Sequence, residues 1–113
     1  MIKTEGIHAG EFLLSEGAGQ ISRDDIVLAA GVFLPAGQVL GLVTATKRYA
    51  PYDNGASDGS EVAAAILHAP LPESANPRRA AAITRLAEVS GALLTGLDAP
   101  ARADLAARFL IVR

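Results

Sequence analysis

Two histidines, His8 and His68, are the chain's whole supply of imidazole, and cysteine is absent. A metal site would need further ligands at set spacing, yet no His-x-x-x-His or cysteine pair is present. His68 stands between Leu67 and Ala69 and reads as a hydrogen-bonded or half-exposed strand histidine. Asp53, Asp58 and Glu61 share one segment, but their spacing does not fit the alternating register of a calcium loop. Asn54-Gly55 and Asp58-Gly59 explain the same residues as tight turns. Asp24-Asp25 reads as a turn before a strand rather than an acid–base pair. None of Ser15, Ser22, Ser57, Ser60, Ser74 and Ser90 is read as a nucleophile. Gly17-Ala18-Gly19 is too short for a dinucleotide loop and no βαβ pattern follows it. With three Phe, two Tyr and no Trp, few large side chains remain to wall a deep pocket. The chain is read as a non-enzyme with no cofactor and no metal.

The elements that must position these residues are mostly strands. Gly37 to Leu67 is the most telling stretch: an apolar strand, a polar turn-rich insert, then a second apolar strand of small residues. Gln38 to Thr46 is the best strand of the chain, rich in Val, Leu and Thr. Glu61–Ala69 is its partner in pattern, and 49–60 reads as a long connection. Phe12–Leu14 and Ile26–Ala30 read as two further strands, and 33–37 as a turn around Pro35 and Gly37. Pro70, Pro72 and Pro77 break the chain. Ala81 to Ser90 alternates weakly and is read as a strand, although it also satisfies a helical pattern. One helix starts near Asp98, a good N-cap, with Pro100 in the first turn. Ala101, Leu105 and Phe109 would share its face, and Asp104 and Arg108 form an i, i+4 pair. Phe109 to Val112 closes the chain as an apolar tail that must dock on something. Residues 1–10 read as an arm, and 11–113 as a β-rich domain.

Composition bounds the function. The 113 residues suffice for one domain. Half are apolar, but 23 are alanine. Small side chains bury little area, worth about 25 cal/mol per Å². The opposing entropy is about 1.5 kcal/mol per ordered residue. A lone Ala-rich β domain is therefore marginal, and an oligomer that buries further apolar surface relieves it. Net charge is −2, and the only basic pairs are Lys47-Arg48 and Arg78-Arg79. Both read as solvated loop charges, so nucleic acid is not an expected partner. The N-terminus carries no long apolar run, so neither signal peptide nor membrane span is expected.

Gly37-Gln38-Val39-Leu40-Gly41, then Lys47-Arg48-Tyr49, Ser57-Asp58-Gly59 and Ala63–Leu67 together resemble the head decoration proteins of tailed bacteriophages. Arg85-Leu86-Ala87-Glu88-Val89, Leu93-Leu94, the Leu105 helix and the Ile111-Val112-Arg113 end extend the likeness over residues 11–113. The resemblance implies a mainly β fold: a small β-barrel or tulip-like domain with one short C-terminal helix and a flexible N-terminal arm, assembling as a homotrimer. It implies trimers at local three-fold sites of the expanded head, bound to the major capsid protein on the virion exterior. The protein would be made in the host cytoplasm, and would steady the head against DNA pressure. The arm before Phe12 is shorter than in some relatives.

An extended arm can add a strand to a sheet edge on a capsid subunit, so Ile2, Lys3, Thr4, Glu5, Gly6 and Ile7 are the candidate capsid-binding residues. Ala63, Ala64, Ala65, Phe109 and Ile111 are candidates for the trimer interface, with ordinary core as the competing reading. The alternative function is a small β-rich ligand- or carbohydrate-binding module, for which Tyr49 and Tyr52 are the available aromatics.

Overall fold

A computed structural model describes residues 8–18 and 21–113. Among the described residues eight strands and one α-helix follow in order, with a 3-10 turn at Gly91–Leu93: β1 (Leu13–Glu16), β2 (Arg23–Leu28), β3 (Val39–Val43), β4 (Arg48–Pro51), β5 (Ala63–Leu67), β6 (Arg78–Ile83), β7 (Ala87–Val89), α1 (Ala99–Ala106) and β8 (Leu110–Val112). Five strands close a barrel in the order β2-β4-β3-β5-β6, and β1-β7-β8 form a separate three-stranded sheet. The mainly β expectation holds, with a closed barrel and one short helix.

The alanines are explained by where β5 runs. All five of its residues are buried. Ala65 and Leu67 pack with Ile26, Leu28, Leu34, Leu40 and Ala82 in one core. Ala63 and Ile66 belong to a second core with Phe12, Val39, Tyr52, Val89, Ala101, Leu105 and Leu110, shared with α1 and the small sheet. A five-stranded barrel has a narrow lumen, so a strand packed on both sides must carry small residues.

The helix forms as its sequence dictates. Asp98 caps it, its carboxylate accepting the Ala101 N–H at 2.8 Å, and Pro100 lies in the first turn. Ala101 and Leu105 are buried. Phe109 is not on that face. The helix stops at Ala106, and Phe109 takes φ 61° with 67% of its surface exposed. Asp104 accepts the Ala63 N–H at 3.0 Å, tying α1 to β5 rather than pairing with Arg108.

Four further expectations are corrected. Asp24-Asp25 lies inside β2, not before it; Asp24 accepts from Thr84 Oγ1 at 3.0 Å and Arg85 Nη2 at 2.6 Å. The connection after β3 contains β4, which pairs antiparallel with β3 and parallel with β2 and so closes the barrel. The segment from Ala81 to Ser90 is two strands in different sheets, parted at Leu86 with φ 54°. Arg78 is not a solvated loop charge. It opens β6, is 9% exposed and donates to three backbone carbonyls.

Candidate functional site

The polar insert between β4 and β5 is turn chemistry. Asp53 Oδ1 accepts the Gly55 N–H at 2.9 Å. Asp58 Oδ1 accepts from Ser60 N at 3.0 Å and Ser60 Oγ at 2.6 Å, and Glu61 Oε1 accepts the Gly59 N–H at 2.8 Å. The bonds from Ser60 hold the Asp58 carboxyl below the usual range. Each acid is committed to its own loop backbone, and among the described residues no acidic or histidine cluster could hold a metal ion. Gly55-Ala56-Ser57-Asp58-Gly59 matches the spacing of a nucleophile elbow. Ser57 nevertheless sits exposed in a bend leading to a strand, without the strand–turn–helix setting that motif requires.

Neither tyrosine is displayed as a free face: Tyr49 packs, partly buried, against the barrel core. Tyr52 is buried, and its hydroxyl donates to Asp98 Oδ1 at 2.8 Å. Burial, the Asp98 hydrogen bond and the charges of Asp98, Asp104 and Asp53 push its pKa up to about 12. A free tyrosine titrates near pH ~10. The native state therefore holds its proton where the unfolded chain releases it. The resulting stabilisation is complete below pH ~10 and fades as pH climbs toward 12. We expect thermal unfolding of the native chain to fall across that window, and the Tyr52→Phe variant to lose this component of the fall. A fall of the same size in the variant would contradict the assignment. An open hollow of about 420 Å³ is lined by Asp25, Ile26, Arg79, Ala80 and Ala81, with no aromatic among them.

What remains is surface, and it is apolar at two ends of the barrel. One end gathers around the small sheet. Ala87 pairs with Leu110 in parallel strands, so Leu86 and Phe109 occupy matching positions just before them. Both have left-handed backbones, which cost about 1 kcal/mol each, and both expose large apolar side chains, 42% and 67%. Ile111 and Leu14 on β8 and β1, and Ile21 beside Arg85, add further exposed apolar area. Glu88 lies across from Ile111 and accepts from Ser15 Oγ at 3.0 Å and Arg113 Nε at 2.9 Å. These bonds hold its carboxyl below the usual range. Ser22 fastens this end: its buried hydroxyl accepts the Gly17 N–H and donates to Leu86 O, each at 2.8 Å.

The other end carries the β2–β3 and β5–β6 connections, bridged at Gly31–Ser74 and Leu34–Leu71. Gly10 N–H donates to His68 O at 2.9 Å, and a side chain at Gly10 would stand 3.1 Å from His68 Nε2. Burial and the nearby Arg23 push the His68 pKa down, while Glu16 opposes them. Arg23 and Glu16 are themselves joined by two hydrogen bonds at 2.7 and 3.0 Å.

Of the sequence-derived candidates, Ile2, Lys3, Thr4, Glu5, Gly6 and Ile7 lie outside the described residues. Ala63, Ala64 and Ala65 are 0–3% exposed inside the protomer, whereas Phe109 and Ile111 stand at its surface. Leu86 was not singled out for a surface role, because its exposure depends on a strand break that no local pattern announces.

A family model, that of the bacteriophage lambda head decoration protein D, matches residues 2–110. No curated protein and no solved structure matches the chain.

Proposed function

The chain belongs to the bacteriophage lambda head decoration protein D family, and we propose that it binds the expanded head as a homotrimer and steadies it against the pressure of packaged DNA. The family is a structural one that decorates the virion capsid. No helix among the described residues is long and apolar enough to cross a membrane. The match over residues 2–110 carries the reading, because it takes in both the domain and the N-terminal segment Ile2–Ile7.

Protomers meet, in this proposal, through Phe109 and Ile111 together with Leu86. An exposed apolar side chain on a strained backbone is costly in an isolated protomer, and covering it recovers transfer free energy. The Ala63–Ala65 strand contributes by holding α1 and β8 in place from beneath. The arm binds a sheet edge of the major capsid protein, and three arms per trimer turn weak contacts into avid ones. A ligand that binds only the expanded lattice stabilises that lattice by mass action.

Cosedimentation tests this. The protein should pellet with expanded heads and stay in the supernatant with unexpanded ones. Deletion of residues 2–7 should lower occupancy by about tenfold or more. Equal binding to both kinds of head, or full occupancy without the arm, would refute the corresponding step.

A further inference from the structure

The chain holds two asparagines, Asn54 and Asn76. Asparagine is a thermolabile residue. The backbone nitrogen of the residue that follows it can attack the side-chain amide and close a succinimide ring. Asn76 is exempt, because Pro77 follows it and a proline nitrogen has no hydrogen to lose. Asn54 is followed by Gly55, and both are exposed in a turn closed by the Ala56 N–H on Asp53 O at 3.0 Å. The Asn54 amide makes no hydrogen bond among the described residues. Gly55 has no Cβ to crowd an approach. Its N–H points at Asp53 Oδ1, 2.9 Å away, so an acceptor already faces the proton that must leave when this nitrogen attacks. Asp58-Gly59, the second such pair in the loop, is held differently. Asp58 Oδ1 is turned to Ser60 N and Ser60 Oγ, and the Gly59 N–H is turned to Glu61 Oε1. Gly59, at φ 111°, packs its backbone against Leu42 O and Thr44. The bonds from Ser60 also keep the Asp58 carboxyl ionised, and a carboxylate resists nucleophilic attack.

We propose that Asn54 is a site of self-modification, at which the Gly55 nitrogen closes on the Asn54 side chain and the turn ages into aspartyl and isoaspartyl forms while Asp58 is spared. A bond forms between Gly55 N and Asn54 Cγ. The proton from that nitrogen passes, by way of the Asp53 carboxylate or water, to the side-chain amide, which leaves as ammonia. Water then opens the ring. Attack at Cγ breaks the new C–N bond and yields aspartate. Attack at the main-chain carbonyl breaks the original peptide bond and yields isoaspartate, with the chain now running through the side chain. Either way one water is consumed and one ammonia released, with no oxidant and no cofactor. Each product adds one negative charge to the formal −2 of the chain, beside Asp53, Asp58 and Glu61. The barrel is insulated from the change. The Asp53 N–H donates to Ser60 O at 3.1 Å and closes the foot of the loop, and β4 and β5 are each paired with β3. The aged chain therefore stays folded. The step needs only this chain and water, whatever the domain binds.

The test incubates the full, folded chain at mildly alkaline pH and follows it by peptide mapping, with enzymatic methylation by a protein isoaspartyl methyltransferase to detect isoaspartate. An unstructured peptide spanning residues 50–61 is the reference. Asn54 in the folded chain should convert to a mixture of aspartate and isoaspartate within about tenfold of the peptide's rate. Asp58 should isomerise about tenfold or more slowly in the folded chain than in the peptide. Gly55→Ala should slow conversion at Asn54 by about tenfold or more. A methyl group there meets only Asp53 Oδ1, at 3.5 Å, so this variant should keep the native sedimentation coefficient. An Asn54 that persists in the folded chain while the peptide converts would overturn the proposal, and this readout does not depend on any variant folding. Conversion in Gly55→Ala as fast as in the native chain would overturn attack by the Gly55 nitrogen. Isoaspartate at Asp58 to the same extent as at Asn54 would overturn the selectivity assigned to the loop.

Discussion

Arg78→Met should lower the free energy of unfolding by about 3 kcal/mol, measured by urea titration. The substitution keeps most of the aliphatic volume and removes the hydrogen bonds to Ala29, Val32 and Pro72. Charge-assisted bonds of this kind contribute about 1.5–3 kcal/mol each when their partners lose them outright. Here some carbonyls of the two bridged connections regain water, so the sum is not reached. Arg78→Lys should recover only a fraction, because an ammonium is a point donor and cannot span three acceptors as a planar guanidinium does. The neighbour supplies the control. Arg79 is exposed on the same strand, and Arg79→Met should change stability by less than about 0.5 kcal/mol. Equal stabilities for the Arg78→Met and Arg79→Met variants would show that the buried guanidinium does not hold the two connections.

The contrast between these adjacent arginines also shows where sequence reading stops. As a pair, Arg78-Arg79 looks like a solvated charge run, since nothing local distinguishes the two. What buries Arg78 is the arrival of carbonyls from Ala29 and Val32, far away in the chain. Features encoded within a few residues were legible. The Asp98 cap with Pro100, the apolar run of β3, the alanine strand β5 and the turns of the polar insert all follow from neighbours in sequence. Strand β4 was not legible, because four residues including Pro51 and one tyrosine carry no clear alternation, and its role is to close a barrel between two distant strands. Phe109 continued the helical spacing on paper but leaves the helix through a left-handed turn. For the candidate surfaces, Phe109 and Ile111 were visible as an apolar tail in need of cover. Leu86 and the exposed Val32–Phe33 pair were not, because each depends on a break in a strand or on a buried cation beneath it.

Gly41→Ala should be as damaging as the loss of Arg78, for a reason of space rather than charge. Gly41 lies in β3 where the register against β5 slips between Leu40 and Gly41. That slip brings the Ser60 backbone directly over it. A methyl group at Gly41 would stand 2.5 Å from Ser60 O and 2.6 Å from Ser60 Cα. Relief would require Ser60 to withdraw, and three bonds prevent it: Asp58 Oδ1 accepts from both its N–H and its hydroxyl, and Ser60 O accepts the Asp53 N–H at 3.1 Å. The other route is to shift β3, which is bonded on both sides inside a closed barrel. Overpacking of this severity costs about 3 kcal/mol. The damage should also spread. Ala63 pairs with Gly41, and its N–H is the donor that Asp104 uses to seat α1. Hydrogen exchange at the amides of 99–106 should therefore accelerate in the Gly41→Ala variant, together with those of β5. A variant that unfolds within about 1 kcal/mol of the native chain, with α1 protection unchanged, would mean that the Ser60 loop yields more easily than its bonds imply.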